Sequence, residues 1–469
     1  MSTEEPRRSA VPSTDELVED LGGFVMESPS SYHAAAVTAR RLVAAGFTQL
    51  GEHQDWPAGP GHYVVVRDGA VLAWIIPETA TPTTPLRILG AHTDSPGFKL
   101  KPKSTVVSHG WVQAGTEVYG GPLLNSWLDR ELRLAGRLVT RDGATHLAAT
   151  GPVARIPQLA IHLDRQVNEG LKLGKQQHTA PVLALAGGSG GASGEDAGGS
   201  AGSGVADDVL AVIAASAGVN AAAVDGYDVV VADAQRPARF GAGSGVGDEG
   251  GSGGEFLASG RLDNLSSVHS GLVALESIAA QTEGRGEQGE TVIPMLAAFD
   301  HEELGSASRS GAAGPFLEEV LTRIYEGLGA TAAERARGFA GSWHLSSDAG
   351  HSVHPNYPER HDPANRPLIN GGPLLKINAN QRYTTDAPGA AMWQQVCREA
   401  GVPTQEFVSN NDIPCGSTIG PITATRLGIR TVDVGIPLLS MHSAREMCGV
   451  DDVGFLTRAV GSFFTAELH

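Results

Sequence analysis

Apolar positions along this chain recur with two periods, and stretches of each kind take turns. Near the start, DELVEDLGGFVMES has the spacing of a helix, with Ser13 or Thr14 as its N-cap. Ser31 is placed to cap a second helix through YHAAAVTARRLVAAG, and Gly46 to end it. GHYVVVRDGAVLAWIIP predicts a hairpin turning at Asp68-Gly69. LRILGAHTDSP predicts a buried strand that runs into a loop at His92.

The pattern then changes. Residues 96–240 break into short strand-like pieces separated by turn signals. Two glycine/serine tracts lie in and just after this region, at 187–204 and 241–254, and read as loops or linkers. The second marks a domain boundary on composition. From Glu255 the alternation returns. LDNLSSVHSGLVALESIAAQ reads as a helix, TVIPMLAAFD as a buried strand ending at HEE, and GSWHLSSDAGH as a strand ending at Asp348. APGAAMWQQVCREAG is a helix stopped at Gly401, IRTVDVGIP a strand, and VGFLTRAVGSFFTAEL a closing helix. Strands alternating with helices predict an α/β sheet with helices on both faces. The divisions expected are 1–95 and 251–469 as one domain in two parts, and 96–250 as a β-rich domain between them. At 469 residues the chain is longer than one compact core usually holds.

Composition narrows the function. Apolar residues at 41% and charged residues at 18% fit a globular chain rather than a disordered one. The net charge of −18 disfavours non-specific binding to nucleic acid, which needs a basic face. The apolar runs are too short to cross a bilayer, so no membrane partner is expected. The first residues, MSTEEPRRSAVPSTDELVED, have no apolar segment of the kind a secretory signal needs. Three cysteines, Cys397, Cys415 and Cys448, form no C-x-x-C pair and suit a reducing, cytoplasmic setting.

Some motifs mislead. G-x-S-x-G occurs at Ser189, Ser200 and Ser252, but glycine and serine continue on both sides, where a nucleophile elbow needs a strand and a helix. His301-Glu302-Glu303-Leu304-Gly305 has glycine where H-E-x-x-H needs its second histidine.

Chemistry concentrates in five places, each just after a buried strand or at a helix start. They are His92 and Asp94, Asp263, Glu302-Glu303, Asp348, and His442. Ligands of open α/β sheets bind beyond the carboxyl ends of the strands, so these can converge. Singly, each is as well explained as a turn or cap residue, and the acidic pair as a helix N-terminus. Together they suit two zinc-like ions, each with about three protein ligands and an open position. Two ions about 3.5–4 Å apart can share a water and hold a scissile carbonyl oxygen. One glutamate of the pair can be a ligand and the other the base that takes the proton from that water. Asp94 can accept the other imidazole N–H of His92.

At this point the chain resembles the aspartyl aminopeptidase family of two-zinc metallopeptidases. GAHTDSPGFKLKP, NSWLDRELRLAGR, SGRLDNL, FDHEELGS, SSDAGHSVHPNYPERHDP, LKINANQRYTTD, NDIPCGSTIGPI and MHSAREMCG carry the likeness in order along nearly the whole chain. The resemblance implies that His92 and Asp348 hold one Zn2+ and Glu303 and His442 the other. It also implies that Asp263 bridges them and that Glu302 is the general base. It implies a catalytic α/β domain with a mixed sheet flanked by helices, interrupted by a β-rich dimerisation domain. Dimers would build a dodecamer, with His162 reaching a neighbouring subunit's active site. The family prefers peptides with N-terminal Asp or Glu, and Lys376 matches its pocket lysine. Arg382 and Tyr383 are further candidates, and His351, His354 and His361 follow Asp348 closely enough to line a pocket. Without the resemblance, Lys376 reads equally well as a solvated lysine at a strand end.

Three functions follow. The first is an aminopeptidase with two divalent metals. The second is a carboxypeptidase or amide deacylase of the same superfamily. The third is a metal-stabilised assembly protein without turnover. The ligand types accept zinc, manganese or cobalt.

Overall fold

The computed structural model describes residues 12–187, 208–243, 254–282 and 291–468. Ser189, Ser200 and Ser252, and most of both glycine/serine tracts, lie outside the described residues. The chain divides into two compact units. One runs up to Asp94, over Pro237–Met441 and onward from Glu446; the other holds Ser95–Arg236 and His442–Arg445.

The first unit is α/β and is built on a nine-stranded mixed sheet. Its order is Thr48–Leu50, Gly61–Arg67, Ala70–Ile76, Ile293–Phe299, Leu86–His92, Trp343–Ser347, Arg430–Gly435, Leu374–Ile377 and Gln405–Val408. The four strands Ile293–Phe299, Leu86–His92, Trp343–Ser347 and Arg430–Gly435 are mutually parallel. Their carboxyl ends therefore open on one edge. Burial on both faces explains why Ile293–Phe299 reads as a continuous apolar run. In Ile293–Phe299, Met295, Ala297 and Phe299 enter one core with the helix Phe316–Gly327, while Leu296 and Ala298 enter the other with Leu262–Thr282 and Val450–Thr465. A smaller five-stranded sheet includes Ala238–Phe240 and Phe256–Ser259, antiparallel partners on either side of the second glycine tract.

Two helix starts differ from the sequence reading. The second helix is capped by Ser30, not Ser31, because Ser30 is the residue in extended conformation and its hydroxyl accepts from His33 N–H. The Ser31 hydroxyl lies instead beside the Asp300 carboxylate. The helix Leu262–Thr282 is interrupted at its start, since Asp263 and Asn264 have non-helical dihedrals. Ser13 does cap the first helix, in a capping box with Glu16.

The second unit is a six-stranded antiparallel sheet in the order Thr145–Ala149, Leu132–Thr140, Val224–Asp233, Gly97–Ser108, Trp111–Tyr119, Val182–Leu185. Alternate residues Leu132, Leu134 and Leu138 face a core closed by the helix Val209–Ser216. Phe98 and Trp127 meet edge to face there, with centroids 5.3 Å apart.

A buried histidine in the nine-stranded sheet has a measurable consequence. His344 is fully enclosed, and a Cβ on Gly90 of the next strand would sit 2.2 Å from its Nε2. Its Nδ1 lies 3.3 Å from Thr431 Oγ1. Burial lowers its pKa to about 3. The unfolded chain binds a proton at this residue below about pH 6.5, whereas the folded chain refuses it until about pH 3. Stability from this residue is therefore complete above pH 6.5 and is lost as pH falls, by about 1 kcal/mol per pH unit. In His344→Leu, urea unfolding midpoints of the metal-stripped protein should fall less steeply between pH 7 and pH 4.5 than in the parent. Equal slopes would show that the imidazole does not set this sensitivity.

Candidate metal centre

Parallel pairing brings the ends of three strands beside one another. Leu86–His92 ends on His92, Trp343–Ser347 delivers Asp348, and Ile293–Phe299 leads through Asp300 into a short turn at Glu302–Leu304. That turn is entered through His301 at φ 63° and left through Gly305 at φ 90°, so both glutamates project from one tight bend. Asp348 is drawn in by the next strand, since a Cβ on Gly435 would lie 1.7 Å from the Asp348 carbonyl oxygen. Only glycine permits that approach.

His92 is the hub of the cluster. Its Nε2 is 3.2 Å from Asp263 Oδ1 and 3.5 Å from Asp348 Oδ1. Its Nδ1 is 3.1 Å from the Asp94 backbone carbonyl and 3.4 Å from the Asp94 carboxylate. The sequence reading gave that N–H to the carboxylate; the nearer acceptor is the backbone. The Asp94 carboxylate also accepts from the backbone N–H of Glu302 at 3.0 Å and of Glu303 at 3.2 Å. The first N–H groups of a helical turn lack partners within the turn, and Asp94 fills both. It thereby fixes the bend that aims the two glutamates.

Three supporting residues escaped the sequence reading. Glu446, 2% exposed, accepts from Asp263 N–H at 3.0 Å. Asn264 donates through Nδ2 to the Ser347 carbonyl at 2.7 Å. The Arg261 guanidinium donates to the carbonyls of Ser28 and Thr93. All three sit next to candidate ligands in SGRLDNL or in MHSAREM, so proximity in the motif was the available signal.

The ligand atoms of His92, Asp263 and Asp348 lie within 4.8 Å of one another, as do those of His92, Glu302 and Glu303. Crowding of acids has the expected electrostatic result. Burial and then the negative charges of Asp348, Asp263 and Asp94 raise Glu302 to about 8, against the opposing pull of His92. Glu303 is raised well above the usual carboxylate range, by burial first and then by Asp263. Burial disfavours charge on His92, yet contact with Asp263, Asp348 and Asp94 outweighs it and raises the imidazole well above its usual value. So many carboxylates cannot all ionise unless positive charge joins them. An imidazole with carboxylate oxygens and no thiolate fits divalent zinc, manganese or cobalt.

The remaining sequence candidates differ in their settings. Lys376 is not solvated: it is 1% exposed, donates through Nζ to the Ala349 carbonyl at 2.7 Å, and lies 3.9 Å from Asp348 Oδ2. Tyr383 is buried with its ring 5.4 Å from Lys376 Nζ, whereas Arg382 is exposed. His351 is exposed, and His354 N–H donates to His361 Nε2 at 3.0 Å. His442 belongs to the segment that groups with the second unit, where its Nδ1 is 3.0 Å from the Gly121 carbonyl oxygen. His162 stands on an exposed turn of the second unit.

A doubly covered α/β sheet with this donor set at its carboxyl edge defines a metal-dependent hydrolase. The chain belongs to the Aminopeptidase I zinc metalloprotease (M18) family, whose model matches residues 24–464. It is accordingly a zinc aminopeptidase. It is 49% identical over 448 residues to a probable M18 family aminopeptidase 2 of Streptomyces coelicolor, covering 95% of this chain and 96% of that one. Among solved structures, it resembles a chain in the cryo-EM structure of the Ape4 and Nbr1 complex, with TM-score 0.86 and 34% identity over 96% of this chain and 86% of that one. It is also similar to the S. cerevisiae mApe1 dodecamer, with TM-score 0.78 and 26% identity over 96% of each chain.

Proposed function

We propose that this aminopeptidase uses two divalent metal ions and prefers substrates whose first residue is Asp or Glu. The convergence of His92, Asp263, Asp348, Glu302 and Glu303 on one strand edge carries the reading. His92 and Asp348 would hold one ion, Glu303 and His442 the other, with Asp263 shared; His442 enters on the family resemblance. When bound, such ions would polarise the scissile carbonyl and make water acidic enough to attack it. Glu302 then takes the water's proton and hands it to the leaving amine. Its place within the buried cluster supports that role, and nearby cations would favour its ionised, proton-accepting form. Asp94 positions the pair through the backbone bonds at Glu302 and Glu303.

Lys376 would meet the carboxylate of the substrate's first side chain. A buried ammonium beside a site that cleaves N-terminal bonds suits an acidic residue. Lys376→Met should lower kcat/KM for an Asp amide about 10- to 100-fold, with a much smaller loss for a Leu amide. Equal losses with both amides would remove Lys376 from selectivity. Arg382 and Tyr383 are further members of this pocket.

The β-rich unit would serve dimerisation and assembly, with domains divided near 1–95, 96–250 and 251–469, and dimers building a dodecamer. His162 would then act in a neighbouring copy's site, helping to stabilise the tetrahedral oxyanion. No described helix is long and apolar enough to cross a membrane, and the proposed setting is cytoplasmic. Metal analysis of the purified protein, combined with assays on Asp and Leu amides and on an N-acetylated acidic peptide, tests the whole reading. Cleavage of the blocked peptide would instead favour a carboxypeptidase or deacylase activity. Absence of any cleavage by the metal-loaded protein would favour an assembly role.

A further inference from the structure

We propose that Asp433 is a positioning residue for recognition of the substrate's first residue: its buried carboxylate ties the loop carrying Arg382 and Tyr383 to the loop carrying Gly416 and Thr418, and so sets the wall beside Lys376. The inference rests on the aminopeptidase reading with Lys376 in the pocket.

Asp433 lies on the strand Arg430–Gly435 and is 0% exposed. Its carboxylate accepts from Thr384 N–H at 2.6 Å, Thr384 Oγ1 at 2.6 Å and Thr418 Oγ1 at 2.5 Å. Its own N–H donates to Thr385 Oγ1 at 3.0 Å. The chain packs directly on the carboxylate at Gly420, where a Cβ would come within 2.4 Å of Oδ1. A carboxylate taken out of water is costly unless its lone pairs are filled, and an apolar residue would avoid that cost. What the carboxylate adds is a crosslink between two loops through short, charge-assisted bonds.

Magnitudes decide which tie matters. Apart from the contact of Tyr383 with Cys415, the direct bonds between the loops are long: Arg382 Nε to the Gly416 carbonyl is 3.4 Å, and Ser417 Oγ to the Arg382 carbonyl is 3.5 Å. Both stand beyond the usual hydrogen-bond range, so they are weak. The Asp433 bonds are short and buried, and they act on Thr384, the residue next to Tyr383. The Tyr383 ring packs on Phe407, with centroids 6.3 Å apart, and faces Lys376 Nζ. Loosening Thr384 therefore moves the aromatic wall against which the Lys376 ammonium is set, while no ligand candidate is bonded to Asp433.

The test compares the parent with Asp433→Asn, Thr384→Val and Thr384→Ser on amides of Asp, Glu, Leu and Ala, with zinc content measured for each. Asp433→Asn and Thr384→Val should raise KM for the parent's best substrate about tenfold, keep kcat within about threefold, and flatten the preference among first residues. Zinc content should not change, and Thr384→Ser, which keeps the hydroxyl, should behave as the parent. An equal loss of kcat/KM across the four amides would overturn the proposal, as would no change in any of them. If Asp433→Asn does not fold, Thr384→Val, which removes one hydroxyl, decides alone. A parent that shows no preference for Asp or Glu would defeat the acidic reading only, because the KM-against-kcat comparison on its best substrate still judges Asp433.

Discussion

Glu302→Gln is expected to lower kcat by about 10³-fold or more while the protein keeps its full complement of metal. The substitution preserves the shape of the side chain and removes its charge and its capacity to accept a proton. Its backbone N–H still donates to Asp94, so the bend that carries Glu303 should persist. General bases contribute roughly 10²–10⁴ to rate, and an enzyme that needs the same group to return the proton to the leaving amine stands at the high end. Steady-state kinetics together with metal analysis checks this. A variant that retains activity would remove Glu302 from proton transfer, and one that loses metal would make Glu302 a ligand instead.

Asp263→Asn is expected to act on the metal rather than on the proton. Asp263 is 3% exposed, 3.2 Å from His92, and held from behind by Glu446 and through its neighbour Asn264. A carboxylate between two ions would attract both with its negative charge, whereas an amide carries none. Loss of at least one ion per chain should follow, with activity falling about 10³-fold or more, because each ion has its own part in the chemistry. The rise in unfolding temperature produced by added zinc, which reflects binding to the folded state alone, should shrink or disappear. Metal stoichiometry and a thermal titration with zinc measure both effects. Retention of two ions at unchanged affinity would make Asp263 a peripheral acid.

Legibility differed from one residue to the next. His92, Asp348 and Glu302-Glu303 could be singled out because each stands at or just after the end of a strand-like segment, and parallel strands place their ends together. The hairpin turn at Asp68-Gly69 and the helix stop at Gly401 were legible because backbone conformation there depends on one or two residues. Ser30 and Ser31 were not separable, since both can cap and only the contact with Asp300 claims Ser31. Lys376 left two readings open. A lysine near a strand end is usually solvated, and its burial comes from segments far away in the chain that carry Ala349 and Tyr383.

By itself the sequence determined the α/β class, several of its strands and helices, the residue types able to hold divalent ions, and, through motifs in series, the family. These depend on local periodicity and on residue chemistry, which a linear chain displays. Only the tertiary structure decided that Asp94 braces the Glu302-Glu303 bend, that Glu446 and Asn264 hold the Asp263 turn, and that Asp433 joins two loops beside Lys376. Such roles are set by hydrogen bonds between residues as much as 209 positions apart, as from Glu303 N–H to Asp94, and no local pattern records which distant donor a buried carboxylate will meet.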